Sequence, residues 1–330
     1  MTDSRTFPWS PETFPLMLAP MQGLTNRMLR QAFIETVRPD VVFTEFMRVS
    51  AVARKRVARS DRVEAAAQHG DVPLVVQLIG HGSAALTRAA EEVVAEGAQH
   101  LNLNLGCPYG RHTSGLTGGE MLRTPEVLPE LLAGLRKVTP ATLSVKMRAG
   151  YDDPRQVLSL LSLLEECGVD FLVLHPRTVV QKYTGRADHA LTAEVASATR
   201  LPVIANGDIN SGQQAEKIMR QADIAGLMLG RGAIADPWLF ERIRGNVPDG
   251  IQGEPLSGIA TLLLKVLPEY RDTFYGDTQV LHKLKGVLSA IETPAAQQQI
   301  RRLKKIRELE RFKLELERLV EDCSGRPVEA

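Results

Sequence analysis

Between Leu16 and about Arg244, short apolar runs alternate with amphipathic stretches bounded by Gly, Pro, Asp or Ser. The runs are Leu16 to Met21, Val41 to Glu45, Leu74 to Leu78, Leu101 to Leu105, Leu143 to Met147, Phe171 to His175, Val203 to Asn206 and Ala225 to Gly230. Between them lie helical patterns such as Ser83 to Glu96, Pro125 to Lys137, Pro154 to Cys167 and Gly212 to Gln221, with Ser211 as a cap and Gly97 and Gly168 as stops. Strand and helix alternating without a long structureless loop predict a parallel α/β architecture. Its simplest form is a closed (β/α)8 TIM barrel, with an open doubly wound sheet as the alternative.

The polar residues favour the barrel. Reactive groups in barrel enzymes sit at the C-terminal ends of the strands. Here those ends carry Pro20 and Met21, Glu45, Gln77, Asn104, Lys146 with Arg148, His175 with Arg177, Asn206 to Asp208, and Gly230 with Arg231. The fourth and fifth runs also alternate strictly: Leu101, Leu103 and Leu105 against Asn102 and Asn104, then Leu143, Val145 and Met147 against Ser144, Lys146 and Arg148. A side-chain period of two puts the second set inside, where each unpaired polar group costs about 1–3 kcal/mol. A bound polar ligand is a natural partner for them.

Beyond the Gly- and Pro-rich stretch from Pro248 to Pro255 the strand pattern ends, and Val280 to Ile291 and Pro294 to Leu319 read as helical. The expected organisation is an N-terminal tail over 1–15, a barrel over 16–245 and an all-helical domain over 246–330. Composition adds exclusions. With 44% hydrophobic residues, 24% charged and a formal net charge of +1, a disordered or collagen-like chain is excluded. Cys107, Cys167 and Cys323 are odd in number and lack metal-ligand spacing, so no disulfide framework or zinc site is expected. The first fifteen residues contain no signal-peptide h-region, and no stretch approaches the roughly 18 apolar residues of a membrane span. The expectation is a cytoplasmic monomer without a metal or membrane partner.

Three groups of residues could carry chemistry. Cys107, in Gly106-Cys107-Pro108 after the Asn104 strand end, stands at the barrel mouth, where a thiol can react; it also reads as a small apolar filler in a turn. Lys146 with Arg148, and His175 with Arg177, place two cation pairs at successive strand ends and suggest an electron-rich, anionic ligand. Asn206-Gly207-Asp208 and Gly230-Arg231-Gly232 follow the last two strands, the usual phosphate position of barrels, although such short strings also serve as plain turns. No GxGxxG or GxxxxGK[ST] motif supports a dinucleotide fold or a P-loop.

In order along the chain, Leu18-Ala19-Pro20-Met21, Val76-Gln77-Leu78, Asn102-Leu103-Asn104-Leu105-Gly106-Cys107-Pro108, Val145-Lys146-Met147-Arg148, Leu174-His175-Pro176-Arg177-Thr178, Asn206-Gly207-Asp208 and Gly230-Arg231-Gly232 resemble the tRNA-dihydrouridine synthase family. The resemblance implies an FMN enzyme, reduced by NADPH, that saturates the C5=C6 bond of selected uridines in tRNA. It implies Cys107 as proton donor to C5. Pro20, Met21, Gln22, Gln77, Lys146, His175, Asn206, Gly207, Asp208, Gly230 and Arg231 would hold the flavin. Asn104, Arg148 and Arg177 would address the uracil and its phosphate, and the helical domain would bind RNA.

Two departures fall on substrate-facing loops: Tyr109-Gly110-Arg111 where many members carry a lysine, and Pro176 where a glycine is usual. The alternatives are a flavin barrel reducing a small molecule such as a free pyrimidine, and a catalytically silent RNA-binding barrel. Although the net charge is near zero, three cation groups suggest a directional basic surface from the mouth to the terminal helices: Arg54, Lys55, Arg56 and Arg59; Arg111, Arg148 and Arg177; Lys304, Arg307 and Arg311.

Overall fold

The computed structural model describes residues 6–109, 116–246 and 256–324. Its strands are β1 (Leu16–Leu18), β2 (Val41–Phe43), β3 (Met47–Arg48), β4 (Leu74–Ile79), β5 (His100–Leu105), β6 (Leu143–Gly150), β7 (Phe171–Thr178), β8 (Val203–Asn206) and β9 (Gly226–Leu229). Every pairing is parallel. β1 pairs with β2 and β9, and β2 pairs with β4, which closes the sheet into a TIM barrel. The two-residue β3 continues β2 farther along β4, so these two segments together are the second staff of the barrel.

Helices alternate with the strands as the apolar periodicity predicts. They are α1 (Arg27–Val37), α2 (Arg59–Ala65), α3 (Ser83–Ala95), α4 (Leu128–Val138), α5 (Gln156–Glu166), α6 (His189–Ala198), α7 (Gly212–Gln221), α8 (Arg231–Ala235) and α9 (Leu239–Arg244). Asn26, Asp188 and Ser211 cap α1, α6 and α7 by accepting backbone N–H bonds, the signal that Ser211 gave in the sequence. β6 and β7 run three residues past the expected ends, with a register shift between Arg148 and Gly150. This raises one wall of the barrel beside the mouth.

The barrel interior is divided. On one side Met17, Val41, Phe43, Val75, Phe171, Val173, Ile204 and Met228 pack together. On the other, the inward polar residues form an amide ladder: Asn104 Nδ2 donates to Gln77 Oε1 (2.8 Å), Gln77 Nε2 to Asn102 Oδ1 (2.7 Å) and Asn102 Nδ2 to the Ser144 hydroxyl (2.8 Å). These residues satisfy one another, so the interior needs no ligand to offset their burial. The expected N-terminal tail has a definite place where it is described: Phe7 and Trp9 pack against the interior cluster, with Trp9 edge-on to Phe171 at 4.9 Å.

The C-terminal region holds α10 (Ser257–Thr273), α11 (Gly276–Ser289), α12 (Gln297–Lys305) and α13 (Leu309–Ser324). The sequence reading missed α10, and the helix expected over Pro294 to Leu319 is interrupted at Ile306, whose carbonyl accepts from Lys285 Nζ. Leu303, Ile306, Leu309 and Leu316 are buried in a cluster that continues through Tyr270 and Leu267 into Leu29 and Phe33 of α1, with Leu319 partly buried against it. At about 1.5–3 kcal/mol for each large apolar side chain, this shared core binds the helices to the barrel. The linker expected over Pro248 to Pro255 and the tail expected after Ser324 lie outside the described residues.

Candidate active site

Asn104 builds the cysteine turn. Its Oδ1 accepts the backbone N–H groups of Gly106 (3.0 Å) and Cys107 (2.9 Å), while its Nδ2 is tied to Gln77. Both ends of the amide are engaged, and Gln77 is fully buried with both of its ends engaged as well. In this structure the expected substrate residue Asn104 and the expected cofactor residue Gln77 are hydrogen-bonded to each other. They form the frame that holds Cys107 in place. Cys107 itself remains partly exposed, with Lys146 and Arg148 as its cationic neighbours.

A cleft on the C-terminal side of the sheet is lined by Pro20, Met21, Lys146, His175, Tyr183, Asn206, Gly207, Asp208, Gly230 and Arg231. Thus the first, sixth, seventh, eighth and ninth strand ends meet where the sequence placed a ligand. Gln22 is exposed and does not line it. The cleft is narrow, about 100 Å³, but shares Tyr183, Asp208, Asn210 and Arg231 with an outer one of about 660 Å³ that reaches Trp238, Ser257 and Glu292. Their combined size suits a small organic ligand. A cavity of about 720 Å³ opens at the opposite end of the barrel, but its Arg136 is spent on Asp170 (2.6 Å) and the carbonyls of Thr139 and Ala141.

The cations divide into free and engaged. Lys146 has no hydrogen-bond partner among the described residues, and burial followed by the neighbouring Arg148 draws its ammonium down to about 8. His175 is pushed far below the ordinary imidazole range by burial, then by Lys146, Arg148, Arg177 and Arg231. It is neutral, and its Nε2 accepts from Arg177 Nη1 at 3.1 Å.

Arg148 and Arg177 do not ring the mouth as exposed charges. Both are buried. Arg148 donates to the carbonyls of Gly106 (2.8 Å) and Thr178 (2.9 Å), and Arg177 to Gly185 O (2.7 Å) and Asp208 (2.6 Å). Each braces loops, a role that spacing alone does not distinguish from substrate contact. Arg231 pairs with Glu292 at 2.7 Å, between the barrel and the helical region. The third cation expected at the mouth, Arg111, lies outside the described residues with Gly110 and Gly115.

The glycine loops have steric reasons. Gly207 has φ +111°, and a Cβ there would approach His175 Cδ2 to 2.6 Å. A Cβ on Gly232 would meet Ile209 O at 2.1 Å. These contacts hold the last two strand-end loops close, leaving their backbone beside the cleft. The sequence reading did not assign Tyr183 to the site. Its ring lies between the guanidiniums of Arg148 (5.2 Å) and Arg231 (4.7 Å) and near His175 (6.3 Å). The aromatic residue five positions after Thr178 in a strand-end loop was the available signal.

Cys167 is half-buried at the end of α5, where burial raises its thiol. Among the described residues no group of three or more His, Cys, Asp or Glu side chains is placed to hold a metal ion. Nor is any described helix long and apolar enough to cross a membrane.

Comparison with known proteins agrees with this geometry. The model of the family described as dihydrouridine synthase matches residues 17–323. The chain is 33% identical to tRNA-dihydrouridine synthase B of Pseudomonas aeruginosa over 272 residues, covering 81% of each chain. It is 34% identical to tRNA-dihydrouridine(16) synthase of Cupriavidus necator over 265 residues, 77% of this chain and 80% of the relative. A mutant of morphinone reductase in complex with tetrahydroNAD superposes with a TM-score of 0.50 at 15% identity, covering 71% of this chain and 87% of that one, a likeness of fold. Matched along nearly its whole length and built around the cleft just described, this chain belongs to the dihydrouridine synthase family.

Proposed function

We propose that this protein reduces the C5=C6 bond of specific uridines in tRNA to 5,6-dihydrouridine, with FMN as resident cofactor and NADPH as reductant. The observation that carries this reading is the Lys146 ammonium. It lacks a hydrogen-bond partner among the described residues and faces a cleft whose far side is formed by the glycine loops at Gly207 and Gly230. That combination suits a ligand with an electron-rich ring at one end and a phosphate at the other. FMN fits it, and when bound supplies a hydride to uracil C6.

The residues of the chain do the rest. Pro20 and Met21 provide an apolar wall for a planar ring, and Asn206, Asp208 and Arg231 provide polar groups toward the outer cleft. Lys146 stabilises negative charge on the ring, while neutral His175 offers hydrogen bonding without a competing charge. Hydride addition at C6 leaves an electron pair at C5 of the uracil. Cys107 gives its Sγ proton to that carbon, and the resulting thiolate is reprotonated from water. Asn104 fixes the backbone N–H of Cys107, so the thiol is presented by a rigid turn. The target nucleotide leaves its stack to reach the mouth.

Purified protein given NADPH and unmodified tRNA should form dihydrouridine, identified by mass spectrometry of the digested RNA. Failure of FMN-loaded protein to do so would refute the reading.

A further inference from the structure

The loops after β5 and β7 flank the end of β6, and each presents one unusual side chain. Tyr109, two residues after Cys107, is 54% exposed. Lys182, next to Tyr183, is a non-glycine residue with φ +52°. A left-handed lysine is strained and persists when its surroundings hold it. Here Lys182 N–H donates to Val179 O at 3.1 Å and Lys182 O accepts from Arg148 Nη1. Its ammonium lies over the Tyr109 ring, 5.9 Å from the centroid.

Unlike Arg177 and Arg231, Lys182 has no carboxylate partner among the described residues. The Lys182 conformation thus sets an uncompensated cation beside the exposed ring of Tyr109, in the loop that follows Cys107. Arg148 ties the two loops from below, through the carbonyls of Gly106 and Thr178.

We infer that Tyr109 and Lys182 form a clamp for the nucleotide adjoining the target uridine, the ring stacking on its base and the ammonium neutralising its phosphate. This rests on the RNA reading proposed above and extends it to residues that do not line the inner cleft. An exposed aromatic beside a free cation is the pattern that holds single-stranded nucleic acid without reading its sequence. The clamp also gives a part to Tyr109, at the point where the chain departs from the family's usual lysine-bearing loop.

The test is steady-state kinetics on unmodified tRNA with Lys182→Gln and Tyr109→Ala, alongside Lys182→Arg and Tyr109→Phe. Loss of the charge should raise KM for tRNA at least about fivefold with kcat unchanged, and should lower the slope of log KM against log salt by about 0.7. Tyr109→Ala should raise KM at least about fivefold. The Arg and Phe variants should restore wild-type values. NADPH-dependent flavin reduction without RNA should be unchanged throughout, reporting an intact fold. Wild-type KM and salt slope in the Gln and Ala variants, or a fall in kcat alone, would overturn the clamp while leaving the activity standing. A wild-type enzyme inactive on tRNA would remove both.

Discussion

Asn26 Nδ2 donates to the Tyr270 hydroxyl at 3.0 Å, joining the loop after β1 to the last turn of α10. The other end of the same amide caps α1 by accepting from Leu29 N–H, at 3.0 Å. One asparagine therefore fixes the start of the first barrel helix to the C-terminal helices, a few residues from Pro20 and Met21. Tyr270 is buried, and that burial pushes its hydroxyl up to about 12, so the bond is unaffected by pH in the working range. Tyr270→Phe removes the partner of a half-buried amide donor and should cost about 0.5–1.5 kcal/mol, the net worth of one hydrogen bond. A lower denaturant midpoint should be accompanied by weaker flavin retention, since the same loop carries the apolar wall. An unchanged midpoint would show that the bond contributes nothing.

Removal of residues 246–330 should destabilise the barrel itself. Leu29 and Phe33 of α1 share a core with α10 and α13, and Lys265 pairs with Glu35 at 3.1 Å. The truncated barrel should aggregate or unfold at much lower denaturant concentration than the full chain. A soluble, flavin-binding barrel with the full-length midpoint would show that the helices are dispensable for folding.

Cys107→Ala should lower kcat on tRNA by at least about 100-fold, the scale of a lost general acid. Flavin content and its reduction by NADPH should stay at wild-type levels, because Asn104 holds the backbone N–H and not the thiol. Wild-type turnover would remove Cys107 as the proton donor.

Lys146 gives a pH dependence. Its ammonium is present below about 8 and is lost above it. FMN affinity, measured by quenching of flavin fluorescence, should fall as pH rises from 7 to about 9, and binding near the upper end should take up protons. For the cofactor-free chain the sign is opposite. Between about 8 and the ordinary lysine value of 10.5 the unfolded state binds more protons, so this group's contribution to stability rises with pH. Affinity constant across the range, or falling toward acid, would contradict the assignment.

The two cleft glycines should separate. Gly207→Ala forces a Cβ against His175 at 2.6 Å in a left-handed backbone and should destabilise by about 1–3 kcal/mol with loss of bound flavin. At Gly230 the nearest atom is Ala19 Cβ at 3.6 Å, an ordinary contact, and Gly230→Ala should fold normally. Equal thermal midpoints for the two variants would show that the close approach at Gly207 is not a constraint.

Much of the barrel was legible because a strand period of two and a helix period of 3.6 both survive in short segments; Val203–Asn206 and Gly212–Gln221 have the expected bounds. Periodicity also placed Asn102 and Asn104 inside, and marked Gln77 as a strand end. It could not say that they would satisfy one another, because the amide ladder depends on the register between β4, β5 and β6. The same limit applies to Arg148 and Arg177, whose carbonyl partners lie in loops brought close only by the closed sheet. Helix α10 was hidden by Pro268, which reads as a breaker but is accommodated within a helix buried on α1 and α13. The basic surface expected from residue clusters loses Arg148 and Arg177 to burial, whereas Lys304, Arg307 and Arg311 are exposed.

Reduction of uridine in tRNA can be read in the cell by mapping dihydrouridine in RNA from strains with and without the gene. The modification should be lost at defined tRNA positions and restored by the wild-type gene but not by Cys107→Ala. An identical dihydrouridine profile in both strains would contradict the proposed activity.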